Sequence, residues 1–206
     1  MSLNKIAVIN LGLGNIGSVI NSLHKLNIKP EIIFSGQELE SFNPSHIIMP
    51  GVGAVSEAMN KLKNFNFIDK LETLVFEKNC FFCGICLGMQ VLAKSSEEFG
   101  NTQCLGWIDG KVSIMKTKGL SLPHMGWNTM HVNNKDSIFY DLNDKDMYFA
   151  HSYSMNCDKS YIAATSNYGS SFVSAIQYKN IFGIQSHPEK SAFLGSIFFT
   201  NFLNLR

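Results

Sequence analysis

Three short segments of the 206-residue chain carry side chains that could break an amide bond. In Gly84-Ile85-Cys86-Leu87-Gly88 a cysteine stands between two glycines, after the apolar run Cys80 to Cys83 and at the opening of an expected apolar helix through Met89 and Leu92. This has the form of a nucleophile elbow, a strand-to-helix turn so crowded that it needs glycine on either side, and which lifts its apical side chain above the sheet. At a helix N-terminus the dipole and free amides favour a thiolate, lowering the pKa by a unit or more from about 8.5. The Leu87 amide would then point at an oxyanion. Gln185-Ser186-His187-Pro188-Glu189 offers a base: His187 ends an apolar strand, Pro188 fixes the backbone after it, and a bend there lets Glu189 hold the imidazole. Pro50-Gly51-Val52-Gly53 is a glycine-rich turn whose Val52 amide could be the second oxyanion donor, each such donor being worth on the order of 3 kcal/mol in the transition state. Taken singly, each segment has a plainer reading: a small buried hydrophobe, a loop histidine, an ordinary strand-to-helix turn.

Cys86 and His187 can meet only if the fold brings two distant segments to one edge. Ile6 to Asn10, Glu31 to Phe34, His46 to Met49 and Cys80 to Gly84 are short apolar runs bounded by Gly, Pro or Asn, and read as strands. Asn15 to Leu26 puts Ile16, Val19, Ile20, Leu23 and Leu26 on one helical face, and Val55 to Phe76 repeats apolar residues at intervals of three and four. Alternating strands and helices imply an α/β fold with a parallel sheet between helices, its ligand site beyond the carboxyl ends of the strands. From about Trp107 the runs become shorter and alternating: Lys111 to Met115, Tyr148 to His151, Tyr161 to Ser166, Phe172 to Gln177 and Ile181 to Gln185 precede a closing helix from about Ala192 to Leu203. These strands are expected to form an added antiparallel layer. No repeat, low-complexity tract or linker divides the chain, so a single domain over residues 1–206 is expected.

Apolar residues make up 45 % of the chain and charged ones 16 %, with a net charge of +1 and no charged block, which argues for a packed core and against nucleic acid as a partner. Met1 to Asn10 lacks the features of an export signal and no run is long enough to span a membrane, so a cytoplasmic location is expected. Five scattered cysteines fit reduced thiols rather than a disulfide framework.

Several patterns compete with amide chemistry. Gly12-Leu13-Gly14-Asn15-Ile16-Gly17 is a formal Gly-x-Gly-x-x-Gly after the first strand, which would make the chain a dinucleotide-binding module. The second strand ends Phe34-Ser35-Gly36, however, without the acidic residue that holds a ribose. Cys80, Cys83 and Cys86 form overlapping Cys-x-x-Cys pairs, but no second ligand pair follows, so neither a metal nor another cofactor is expected and Cys80 and Cys83 read as inert. A cysteine peptidase would use the same Cys/His pair; Gln90 and the Gly-Val-Gly loop favour a small amino-acid amide instead.

The whole set of motifs resembles the class I (triad) glutamine amidotransferases: Pro50-Gly51-Val52-Gly53, Gly84 to Gln90, Pro123-His124-Met125-Gly126-Trp127-Asn128, His151-Ser152-Tyr153 and His187-Pro188-Glu189-Lys190-Ser191, in order and over essentially the full chain. Within that family the chain is most similar to the glutaminase subunits that deliver ammonia to a barrel-shaped cyclase of histidine biosynthesis, which makes imidazole glycerol phosphate and aminoimidazole carboxamide ribonucleotide. The resemblance implies a flavodoxin-like, mostly parallel sheet flanked by helices. It implies Cys86 as nucleophile, His187 as general base and acid, Glu189 as its orienter, and Val52 and Leu87 as oxyanion-hole amides. Gly53, Gln90, Ser152 and Tyr153 match positions that hold glutamine, and Asn15, Trp127, Tyr148 and Lys190 match positions facing the cyclase in a heterodimer. Ser186 and Ala150 depart from the family's usual phenylalanine and valine. Some relatives instead supply ammonia for amidating surface-polysaccharide sugars, and the motifs alone do not separate the two acceptors.

Overall fold

A computed structural model describes residues 4–206; Met1 to Leu3, part of the segment read above against an export signal, lie outside the described residues. In chain order the elements are β1 (Ile6–Ile9), α1 (Ile16–Lys25), β2 (Glu31–Ile33), α2 (Gly36–Phe42), β3 (His46–Gly51), α3 (Val55–Asn64), α4 (Ile68–Glu72), β4 (Phe81–Cys86) and α5 (Leu87–Gln90). They continue with β5 (Ser95–Ser96), β6 (Thr102–Gln103), β7 (Gly110–Ile114), β8 (His124–Val132), β9 (Lys145–His151), β10 (Tyr153–Cys157), β11 (Ile162–Tyr168), β12 (Ser170–Tyr178), β13 (Ile181–Ile184) and α6 (Ala192–Leu203).

Nine strands form one sheet in the order β2-β1-β3-β4-β13-β12-β11-β8-β9. The pairs from β2 to β13 are parallel, and those from β13 to β9 antiparallel. The strands of the second half therefore divide: β8, β9, β11, β12 and β13 enter the main sheet, and β7 and β10 join β5 and β6 in a separate four-stranded sheet. This order sets β4, which carries Cys86, directly beside β13, which leads to His187, with Gly183 opposite Gly84 and Ile184 opposite Ile85. Two segments a hundred residues apart thus end at the same sheet edge.

Alternation along the strands sorts the core into two faces. Ile6 and Val8 pack with Val19 and Leu23 of α1 and with Phe198, Phe199 and Phe202 of α6. Ala7 and Ile9 face the other way, toward Val55, Ala58 and Leu62 of α3, Leu71 of α4, and Val112 and Met155 of the smaller sheet. Helices on one face and helices with a small sheet on the other leave the carboxyl edge of the parallel strands for loops.

The structure departs from the periodicity in several places. The apolar repeat over Val55 to Phe76 is interrupted at Asn66, whose left-handed φ of 55° ends α3 before α4 begins, and Thr73–Glu77 winds as a π-helix. Helix α2 has too little apolar periodicity to show in the sequence; it rests on its cap, where Ser35 Oγ accepts from the Glu38 amide at 3.3 Å and Glu38 Oε2 accepts from the Phe34 amide at 2.8 Å. The nine-residue β8 passes unseen because His124, Gly126 and Asn128 break its apolar alternation.

Candidate active site

Strand β4 ends on Cys86 itself, whose backbone is left-handed with φ 54° and ψ −105°. Such a conformation costs a residue with a Cβ roughly 1–3 kcal/mol and persists only where its surroundings impose it. Here the imposing contacts are visible. A Cβ on Gly84 would lie 2.1 Å from the Gly88 carbonyl oxygen, and one on Gly88 would lie 1.9 Å from that of Met49. Both are impossible distances, so glycine at 84 lets the turn close on itself and glycine at 88 lets it close on β3.

The helix expected from the elbow through Leu92 is instead the single turn α5. The carbonyls of Val91, Leu92 and Ala93, which would receive the bonds of further turns, accept from Leu105, Ile108 and Gly106. A one-turn helix has little dipole, so the charges and dipoles that act on Cys86 come chiefly from side chains nearby.

The first of these is His187. Its amide donates to the Tyr148 carbonyl at 2.7 Å, and its own carbonyl accepts from Ser191 Oγ at 2.7 Å; Ser191 Oγ also accepts from the Tyr148 amide at 3.0 Å. The base is thereby fastened to β9 at both ends of its peptide. His187 Nδ1 and Glu189 Oε1 are 2.7 Å apart, with side-chain exposures of 2 % and 8 %. Since a carboxylate can only accept, Nδ1 carries a proton and Nε2 is the atom left for chemistry. Nε2 is buried without a hydrogen-bond partner among the described residues. Burial alone would lower the imidazole pKa, but the Cys86 sulfur and the Glu189 carboxylate override it and raise it to about 10. The arrangement thus favours an imidazolium beside sulfur, with Glu189 behind it.

Cys86 opens into a cavity of about 390 Å³ lined by Val52, Gly53, Leu87, Gln90, Glu98, Ser152 and Tyr153 among others, within the ~300–1,000 Å³ of small-molecule sites. The residues expected at the oxyanion and at glutamine therefore converge on the cavity that holds Cys86. One donor is differently engaged: the Val52 amide donates to the Leu13 carbonyl at 3.3 Å. Gly14, with φ 100°, permits that approach, since a Cβ there would stand 3.0 Å from Val52 Cγ2. One glycine of the dinucleotide-like motif thus has a structural use in the Val52 loop.

The structure places at the site three polar groups to which sequence reading assigns no role there. Glu98 lines the cavity and accepts from the Val55 amide at 2.9 Å; in Ser95-Ser96-Glu97-Glu98 it reads as solvated loop. Gln185 is fully buried, its Nε2 3.6 Å from Cys86 Sγ and its Oε1 3.1 Å from Gln90 Nε2. Its signal is a lone amide directly after the apolar strand β13. His151 lines the cavity, donates from Nδ1 to the Tyr153 carbonyl at 2.9 Å and meets His124 at 3.2 Å. Burial, helped by the charges of His124 and His187, pushes the His151 imidazole down to about 3, so it stays neutral.

Beside the site, Trp127 and Tyr148 are cross-strand partners on β8 and β9 with ring centroids 6.0 Å apart, and Lys190 Nζ lies 5.7 Å from the Tyr148 ring. Trp127 and Met125 are 56 % and 63 % exposed, an apolar surface continuous with the strand that holds His187. Asn15, exposed, precedes α1, which packs against the Pro188–Lys190 turn. Cys80 and Cys83 are buried in the core, which pushes the Cys80 thiol up to about 12 and Cys83 further still.

The Glutamine amidotransferase class-I family model matches residues 7–205. A similar protein, "Imidazole glycerol phosphate synthase subunit HisH 2" of Vibrio vulnificus, is 42 % identical over 91 % of this chain and 88 % of its own length. "Imidazole glycerol phosphate synthase subunit HisH" of Leptospira borgpetersenii is 38 % identical over 97 % of this chain and all of its own. Among solved structures, a glutamine amidotransferase superposes with a TM-score of 0.76 at 16 % identity over 96 % of both chains. One from Thermotoga maritima gives 0.66 at 18 % identity, covering 97 % of this chain and 82 % of its own.

Proposed function

The chain belongs to the class-I glutamine amidotransferase family, and from that premise we propose how its residues carry out the chemistry. It is a glutamine-hydrolysing enzyme subunit of the imidazole glycerol phosphate synthase type. Cys86, His187 and Glu189 are its triad, within a single amidotransferase domain that works in the cytoplasm. The observation that carries this reading is the left-handed Cys86 at the cavity, electrostatically coupled to a buried His187 whose other nitrogen is held 2.7 Å from Glu189.

In the proposed reaction Cys86 Sγ attacks the carboxamide carbon of glutamine, forming a C–S bond as the carbonyl π electrons move onto oxygen. Collapse of this intermediate breaks the C–N bond, and His187 gives its Nε2 proton to the leaving nitrogen, releasing ammonia. His187 then takes a proton from water, whose oxygen attacks the thioester; glutamate leaves and the sulfur is regenerated. The Leu87 amide, at the first position of α5, faces the oxyanion, since first-turn amides have no partner within a helix. Val52 becomes the second donor only if its amide leaves the Leu13 carbonyl, and Gly53, with φ 100° and open space around it, gives the loop room to turn. Glu98 receives the ammonium of the substrate, while Gln90, Gly53 and the backbone of Ser152 and Tyr153 hold the rest.

The partner is a barrel-shaped cyclase subunit docked over Asn15, Trp127, Tyr148 and Lys190, which turns the ammonia into a histidine-biosynthetic intermediate. The bond from the His187 amide to the Tyr148 carbonyl gives that surface a direct hold on the base. The test is glutamate release from glutamine by the chain alone and with a histidine-pathway cyclase and its nucleotide ligand, with Cys86→Ala beside it. Strong stimulation that vanishes in Cys86→Ala is expected. Activity surviving in Cys86→Ala would overturn the triad, and Cys86-dependent activity without stimulation would assign a different ammonia acceptor, such as a sugar-modifying synthase.

A further inference from the structure

We propose that Gln185 holds a hydrogen-bond donor against the Cys86 sulfur, making it a working member of the nucleophile's environment rather than core filling. The proposal rests on the reading of Cys86 as nucleophile. Gln185 stands at the end of β13, whose four residues are all buried and apolar, and is itself 0 % exposed. A primary amide so placed must find partners for both ends, since an unpaired buried polar group costs on the order of 1–3 kcal/mol.

Which end faces sulfur follows from the neighbours. Gln90 Nε2 lies 2.9 Å from the Tyr153 carbonyl, an atom that can only accept, so this end of Gln90 is its NH2 group. The same nitrogen lies 3.1 Å from Gln185, which must therefore present Oε1 to it. The NH2 group of Gln185 is then turned to Cys86 Sγ, at 3.6 Å. The Tyr153 carbonyl is fixed in turn by His151 Nδ1 at 2.9 Å. The chain Tyr153 carbonyl, Gln90, Gln185, Cys86 thus has one consistent polarity.

A donor at this position favours the thiolate and does nothing for the thiol, and in a buried site a charge-assisted bond is stronger than its counterpart in water. It also supplies what the one-turn α5 does not. The titratable groups facing Cys86 are His187, backed by Glu189, in the turn after β13, His151 on β9, Tyr153 on β10 and Glu98 on the loop between β5 and β6. All remain when Gln185 alone is replaced.

The experiment is the rate of Cys86 alkylation by iodoacetamide against pH, followed by mass spectrometry of the Cys86 peptide, in wild type, Gln185→Met and Gln90→Met. Cys104 and Cys157, with thiols raised by burial to about 11, stay unreactive over the range used. Gln185→Met keeps the length and loses the donor; its midpoint should rise by about one pH unit, a tenfold loss of thiolate below the midpoint. Gln90→Met frees the Gln185 amide to rotate and should raise the midpoint by less. A purely structural Gln185 would lower the melting temperature and leave the midpoint unchanged, and that result overturns the proposal. If Gln185→Met does not fold, Gln90→Met decides, an unchanged midpoint again being the negative outcome. Glutamine hydrolysis surviving in Cys86→Ala would instead sink the triad reading, while the alkylation midpoints would still report on Gln185.

Discussion

At Glu189 a single oxygen decides which nitrogen of His187 exchanges its proton in the reaction. Oε1 takes the Nδ1 proton at 2.7 Å, and Oε2 is buried without a hydrogen-bond partner among the described residues. Glu189→Gln keeps the shape but can turn an N–H toward Nδ1, which would drive the ring proton to Nε2 and leave no base facing Cys86. The carboxylate's contribution to the raised His187 pKa disappears in the same change. Glutaminase kcat should fall on the order of a thousandfold or more, as for wrong-tautomer triads elsewhere. KM should change little, because glutamine meets other residues. Steady-state kinetics of Glu189→Gln checks this, and a loss smaller than about tenfold would show that Glu189 does not control the tautomer.

The elbow shows what single elements contribute and how far they could be read in advance. Gly88→Ala would place a Cβ 1.9 Å from the Met49 carbonyl, which only backbone movement of β3 or the turn can relieve, whereas a Cβ at Gly53 meets nothing within 4 Å. Gly88→Ala should lose about 3 kcal/mol or more of stability together with activity, and Gly53→Ala, whose φ of 100° is unfavourable but uncrowded, about 1 kcal/mol. Urea unfolding of the two proteins tests the ranking; equal losses would mean that α5 does not depend on its contact with β3. Gly84, Cys86 and Gly88 were legible because strain has a local sequence signature, and α6 was legible from end to end because its apolar residues fill it. What pattern could not show was α5 stopping after one turn, since the Leu105 to Ile108 segment that takes its carbonyls is distant in sequence. Gln185 and Glu98 were hidden for a related reason. A buried amide and a cavity carboxylate are distinguished by their neighbours, and neighbours across strands leave no periodic trace.

Over the whole molecule, the neutral histidines set how the fold meets acid. His46, 1 % exposed, lies between Phe81 and Phe202, with Nε2 lacking a hydrogen-bond partner among the described residues. Burial, with the positive charge of Arg206, pushes its imidazole down to about 4, as burial pushes His151 to about 3. Both are neutral in the folded protein and free to protonate near pH 6.5 once unfolded. Their stabilisation is therefore complete above about pH 6.5 and is lost as pH falls toward the folded values. His187 works in the opposite sense: its folded pKa of about 10 lies above the unfolded one, so its contribution is complete below about pH 6.5 and constant across the acid range. Acid sensitivity between neutrality and pH ~5 thus falls mainly to His46 and His151, at about 2 kcal/mol each by pH ~5, a sizeable share of the ~5–15 kcal/mol that holds a typical domain, and His124, whose imidazole pKa burial also lowers, adds to it in the same direction. His46→Leu removes one of the two main groups, the one that does not line the cavity. The unfolding free energy of wild type, from urea titrations at several pH values between about 7 and 5, should fall by about 4 kcal/mol or more, and that of His46→Leu by about 2 kcal/mol less than wild type. The variant's absolute stability can move either way on repacking; its slope with pH cannot, and an unchanged slope would mean that His46 binds its proton in the folded core as readily as in the unfolded chain.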